Sequence, residues 1–139
     1  MKILVDTNII IDTLTGREPF RELAEQIFIL AANQIEDMYI TASSATDIYY
    51  LVRKHLHNTE QSKNTMSKLY QLFGILDVTA NDCQDALLLD MKDYEDAVIS
   101  CCAKRNQMDY IVTRHIKDYE HSKVKVLLPE DLLKLVLQD

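Results

Sequence analysis

Five aspartates stand where an α/β chain would place reactive groups. Asp6 closes the apolar run Ile3-Leu4-Val5. Asp47 lies in the first turn of the helical stretch that follows Met38-Tyr39-Ile40, and Asp93 and Asp96 open another such stretch. Asp118 comes shortly after Tyr110-Ile111-Val112-Thr113. Ligands of open parallel sheets bind beyond the carboxyl ends of the strands, so acids at those ends are the first to consider. Asp93 and Asp96 are three residues apart and share one helix face. Carboxylates gathered at one edge repel and raise one another's pKa. A divalent cation relieves that repulsion, and hard oxygen donors suit Mg²⁺ or Mn²⁺ rather than zinc. Such an ion lowers the pKa of a bound water and neutralises a phosphoryl oxygen. A carboxylate cluster without histidine therefore points towards phosphodiester hydrolysis.

Each acid also has a local use that needs no ligand. Asp6 can cap the helix predicted over Asn8–Leu14, and Asp93 can cap the next acid-bearing helix. Asp47 can close a capping box with Ser44. Asp96 suits the positive end of a helix dipole, and Asp118 suits a turn at Lys117-Asp118-Tyr119. Their conjunction at the ends of separate elements is what favours a shared pocket.

The elements that must position these acids alternate along the chain. Strands are predicted at Ile3–Val5, Met38–Ile40, Tyr110–Thr113 and Lys123–Leu127, with a weaker one at Asp77–Thr79. Helices are predicted at Asn8–Leu14 and then from Pro19 through Phe20, Leu23, Ala24, Ile27, Phe28 and Ala31. Another runs from Ser44 to His55. His57 to Lys63 reads as polar and solvated, before a helix with Met66, Leu69, Tyr70 and Phe73 on one stripe and Gly74 near its end. Thr79 is placed to cap a helix containing Ala86, Leu87 and Leu89. Asp93–Arg105 carries the small face Ala97, Ser100 and Ala103, and Pro129–Leu137 closes the chain. The expectation is one α/β domain over residues 1–139, three-layered, with a mainly parallel central sheet flanked by helices.

Composition excludes several alternatives. The chain has 15 Lys+Arg against 22 Asp+Glu, a net charge of -7, which argues against gripping nucleic acid by charge alone. It leaves open a nucleic-acid enzyme that brings its own cation. Only two glycines, Gly16 and Gly74, are present, so no Walker loop or dinucleotide fingerprint can be written. Cys83, Cys101 and Cys102 form no C-x-x-C pair and read as reduced packing residues. Asp6 comes too early for a secretory signal, and apolar runs such as Ile27–Ala32 are too short to span a membrane. A cytoplasmic protein with no membrane partner is expected. Arg53 and Lys54, with His55 and His57, form one basic patch. Arg114, with Lys117, Lys123 and Lys125, forms another. Either could guide a phosphate backbone or be a solvated face. Tyr49 and Tyr50 could stack on bases or pack an interface. A phosphoacceptor receiver domain shares the sheet and the length. It needs an acid pair after the first strand, where this chain has Asp6-Thr7-Asn8.

Four segments in order carry a family resemblance: Ile3-Leu4-Val5-Asp6-Thr7-Asn8, Ile40-Thr41-Ala42-Ser43 through Asp47, Asp93-Tyr94-Glu95-Asp96-Ala97, and Ile111-Val112-Thr113-Arg114 through Asp118-Tyr119. With Arg17-Glu18-Pro19-Phe20, they resemble the PIN-domain ribonucleases, in particular the VapC-type toxins of toxin–antitoxin systems. The resemblance implies a PIN-like fold and hydrolysis of RNA phosphodiesters with Mg²⁺ or Mn²⁺, leaving a 5′-phosphate and a 3′-hydroxyl. It implies Asp6, Asp96 and Asp118 as metal ligands, with Asp47 a fourth catalytic acid that reaches the metal directly or through water. Asp93 would be an accessory acid, Asn8 would orient Asp6 or a water on the metal, and Thr113 would support them with its hydroxyl. RNA as substrate, a cognate antitoxin and a homodimer follow as implied partners. Two departures stand out. Asp47 occupies a position usually held by Glu, and His115 one often held by Asn or Asp. They motivate an alternative, a catalytically degenerate binding module on the same fold.

Overall fold

The computed structural model describes residues 1–138. Strand β1 (Lys2–Val5) lies at the centre of a five-stranded sheet with β2 (Asp37–Thr41), β3 (Gly74–Leu76), β4 (Tyr110–Val112) and β5 (Val126–Leu127). The order is β3-β2-β1-β4-β5 and every pairing is parallel. The continuous apolar run of β1 is what a strand covered on both faces requires. Ile3 and Val5 pack into one core cluster, and Leu4 between them packs into another.

Helices cover both faces. On the Ile3/Val5 side lie α1 (Thr7–Leu14), α2 (Arg21–Ala32), α3 (Ala42–Leu56), α4 (Thr59–Leu72) and α7 (Pro129–Leu137), contributing Ile10, Ile27, Ile48, Leu69 and Leu132 to the core. On the Leu4 side lies α6 (Tyr94–Arg105), with Ile99 and Ala103 against the sheet, joined by Tyr119 and Val124. A short helix, α5 (Ala80–Ala86), packs outside α6 through Ala86, Ala97, Val98 and Cys101. Sandwiched in this way, α6 is buried at every position from Ala97 to Ala103, which explains its small residues. All three cysteines are unpaired, and Cys101 and Cys102 are buried as packing residues. No helix among the described residues is long and apolar enough to cross a membrane.

The three-layer α/β expectation holds, and several boundaries move. The third strand is Gly74–Leu76, not Asp77–Thr79, and it pairs with Tyr39, Ile40 and Thr41. Gly74 opens it, and a glycine suits that place because a Cβ there would come within 2.6 Å of the Tyr39 ring. Thr79 does cap α5, in a full capping box with Asp82, but the helix ends at Ala86, leaving Leu87 and Leu89 beyond it. The polar stretch after His57 is helical because Asn58 caps α4, its side chain accepting from Gln61 N at 2.9 Å. Helix α2 begins at Arg21, after Pro19. Strand β5 is shorter than Lys123–Leu127, because the Ser122 hydroxyl bonds both the carbonyl and the N–H of Val124 and holds a local turn.

Helix α3 begins earlier than Ser44. Thr41 is its cap and accepts from Ser44 N at 3.2 Å. The Ser44–Asp47 capping box is therefore not formed. Asp47 lies in the second turn of the helix rather than the first, free to serve another purpose.

Candidate active site

The chain leaves β1 towards β2 and β3, then crosses to β4 and β5 on the other side. The crevice between the carboxyl ends of β1 and β4 is thus a topological switch point, the expected place for a ligand. The register sets Val5 beside Val112, and Asp6 N–H donates to the Val112 carbonyl at 3.0 Å. Asp6 and Thr113 are thereby side by side as the strands end.

Asp6 is 5% exposed and held by three donors. Thr7 N–H meets Oδ1 at 2.7 Å. The Thr113 hydroxyl and the Asn8 side-chain amide meet Oδ2 at 2.8 and 3.0 Å. Burial raises the Asp6 pKa above its ordinary value, and the donors Thr113, Thr7, the nearby Tyr119 hydroxyl and Asn8 oppose that rise without cancelling it. Asp6 therefore both caps α1 and anchors the site.

A cleft of ≈ 430 Å³ opens over this edge. It is lined by Asp6, Asn8, Asp47, Asp93, Asp96 and Asp118, together with Arg17, Tyr50, Glu95 and His115. All five aspartates singled out from the sequence thus converge. Asp93 caps α6 by accepting from Asp96 N at 3.1 Å, and it lines the cleft as well. Asp118 reaches it from a 3₁₀ turn at Ile116–Tyr119. The Asp96 carboxyl is pushed up to about 7, first by burial and then by the charges of Asp6 and Asp93. Glu95, which the sequence reading passed over, enters the cleft beside Asp47. Lost solvent on its inner side, followed by the Asp47 charge, pushes it also up to about 7.

The basic residues are arranged differently from expectation. Arg114 is turned away, forking onto the fully buried Asp12 at 2.7 and 3.1 Å and lying 4.0 Å over the Phe20 ring. Arg53 donates to the Thr59 hydroxyl at 3.0 Å in the last turn of α3, and neither it nor Lys54 lines the cleft. The cation at the cleft is Arg17, from the turn between α1 and α2. His115 is exposed at the edge, with Nε2 3.0 Å from Arg114 Nη1. Guanidinium nitrogens only donate, so Nε2 is the acceptor there. Tyr50 is 67% exposed at the rim, whereas Tyr49 packs against the core.

The donor set fits a hard divalent cation in its chemistry: oxygen ligands, most of them acidic, in a crowded site. Three polar atoms on residues around Asp6, Thr7 Oγ1, Asn8 Oδ1 and the Tyr119 hydroxyl, are buried with no hydrogen-bond partner among the described residues, as buried polar groups seldom are. The acids are not drawn together, however. No three His, Cys, Asp or Glu side chains among the described residues are arranged as a ready-made metal-holding group.

A PIN domain model matches residues 2–117, and the chain belongs to the PIN domain family. Among solved structures it resembles VapBC2 from Rickettsia felis bound to a DNA fragment from their promoter, at 19% identity and a TM-score of 0.67, covering 92% of this chain and 98% of that one. FitAcB from Neisseria gonorrhoeae is 22% identical with a TM-score of 0.67 over the same shares. VapC20 of Mycobacterium tuberculosis, a Sarcin-Ricin loop cleaving toxin, is 12% identical with a TM-score of 0.61, covering 78% of this chain and 86% of that one. At these identities the likeness is one of fold. No curated protein matches the sequence.

Proposed function

We propose that this chain is a divalent-metal-dependent endoribonuclease and the toxin of a toxin–antitoxin pair. The observation that carries the reading is the buried, triply hydrogen-bonded Asp6 sharing one cleft with Asp96, Asp118, Asp47 and Asp93. Asp6, Asp96 and Asp118 would hold Mg²⁺ or Mn²⁺, with Asp47 beside them. When bound, the ion supplies an acidified water and charge neutralisation at the phosphoryl group. Thr113 and Asn8 hold Asp6 in place. Asp93 fixes the start of α6 and hence the position of Asp96. Asp47 and Glu95, side by side, offer a place for the proton released by the attacking water. Arg17 stands where a substrate phosphate would enter.

The similar toxin–antitoxin structures support a small antitoxin as partner, and a homodimer is proposed with it. The test is cleavage of RNA by purified protein. Activity with Mn²⁺, arrest by a chelator and loss in Asp6→Asn are expected. Full activity in Asp6→Asn would assign the cleavage to a contaminant.

A second reading is supported by the short Asp47 and the unassembled acids: a PIN-fold binding module without catalysis. Failure to bind Mn²⁺ at millimolar concentration would favour it.

A further inference from the structure

Among the described residues Tyr119 is the one tyrosine buried in the core, 3% exposed, with its ring clustered with Leu4, Ile111 and Val124. Its hydroxyl has no hydrogen-bond partner of good geometry, although it lies beside Asp6 and Asp96. A buried hydroxyl left unmatched costs about 1–3 kcal/mol, which a phenylalanine in the same space would avoid. The two neighbouring carboxylates differ in their needs. Asp6 already accepts from Thr7, Asn8 and Thr113. Asp96 has its backbone N–H bonded to Asp93, and among the described residues its carboxylate accepts no side-chain hydrogen bond, although the Tyr119 hydroxyl lies beside it. A phenol has one proton and can serve one acceptor.

We infer that Tyr119 is a positioning residue: its O–H donates to the Asp96 carboxylate and turns it towards Asp6, so that the pair presents its remaining oxygens to one divalent cation. This rests on the metal-dependent reading above. The hydroxyl acts on the ion through Asp96 and not on the RNA. Its removal therefore weakens cation binding while leaving the RNA interaction unchanged.

The experiment titrates Mn²⁺ alone, by calorimetry, into wild type, Tyr119→Phe and Asp6→Asn, each first freed of metal. Tyr119→Phe keeps the ring in its cluster, and its melting temperature reports that the fold is retained. The expected result is a Kd for Mn²⁺ weakened about three- to tenfold in Tyr119→Phe, the size of one hydrogen bond of about 1 kcal/mol. In cleavage assays the variant should recover as Mn²⁺ is raised, with KM for RNA unchanged. Equal Mn²⁺ affinity in wild type and Tyr119→Phe overturns the inference and leaves the metal reading standing. Wild type that binds no Mn²⁺ overturns the metal reading, and the inference with it.

Discussion

The Thr113 hydroxyl donates to Asp6 Oδ2 at 2.8 Å across the ends of β1 and β4, with both residues buried. The Thr113 hydroxyl oxygen itself accepts from His115 N at 3.1 Å and from the Asn8 amide at 3.3 Å. Thr113→Val fills the space but removes the donor to a buried carboxylate and the acceptor for two N–H groups. A loss of about 1–3 kcal/mol in urea unfolding is expected, with Thr113→Ser close to wild type. If the valine variant is as stable as wild type, the Thr113 hydroxyl does not hold Asp6.

Arg114 is read as structural, not as a substrate contact. Asp12 is fully buried, and Arg114 supplies two of its hydrogen bonds, with Arg17 Nε farther off at 3.9 Å. Arg114→Gln leaves a buried charge short of its partner and should cost about 3 kcal/mol. Asp12→Asn combined with Arg114→Gln should cost less than Arg114→Gln alone, since the stranded charge is then gone. Arg114→Lys should recover only part, because an ammonium cannot fork onto both oxygens. An Arg114→Gln variant with full stability and weakened RNA binding would reverse this assignment.

The sheet and most of the acids were legible for a reason these two pairs illustrate. Ile3-Leu4-Val5 and Tyr110-Ile111-Val112 are short, continuous and apolar, and a residue directly after such a strand has few places to go. Asp6 and Thr113 follow from that. What was illegible depends on angles and turns. Glu95 sits one residue from Asp96, and whether it faces solvent or the cleft depends on how α6 is rotated against the sheet. The raised pKa it shares with Asp96 is the signal that finds it, and that signal exists only in three dimensions. Arg17 enters from a turn whose path no periodicity records. Arg114 looked available because its partner, Asp12, sits on a different helix. Tyr119 ends a 3₁₀ turn too short to show a buried face in its sequence. The misplaced start of α3 has a local cause: Thr41, the last residue of β2, doubles as the cap.

Burial and then crowding of the acids give the metal-free protein an inverted response to pH. Glu95 and Asp96 are pushed up to about 7 from ordinary values of 4.5 and 3.8. Between those values and 7 the folded chain keeps protons that the unfolded chain has released. Folding is therefore favoured at the acid end of this window, and stability falls as pH rises through about 7. Asp82 titrates outside the window: burial would raise it, but Arg105 and Thr79 hold it below 3.8. The metal-free melting temperature should be higher at pH 5.5 than at pH 7.5. Mn²⁺ should raise it more at pH 7.5, where the ligands are ionised and the ion relieves their repulsion. A metal-free melting temperature that climbs between these pH values would contradict the crowding.

The excess of acid leaves little general attraction for RNA, so single cations near the cleft should have visible effects. Arg17 lines the cleft, whereas Arg53 is bonded to Thr59 and Lys54 stands apart from it. Each phosphate neutralised on a single strand contributes about -0.7 to the slope of log K against log salt. Arg17→Ala should therefore weaken binding of a single-stranded RNA and make that slope shallower by about 0.7. Arg53→Ala and Lys54→Ala should leave both unchanged. The measurement is fluorescence anisotropy across a salt series, with Asp6→Asn as the background so that the RNA is not cut. Arg17 also lies 3.9 Å from Asp12, so the melting temperature of Arg17→Ala must be followed alongside. A stable Arg17→Ala protein with an unaltered slope would move the phosphate path off this side of the cleft. A slope changed by Arg53→Ala would place it along the end of α3 instead.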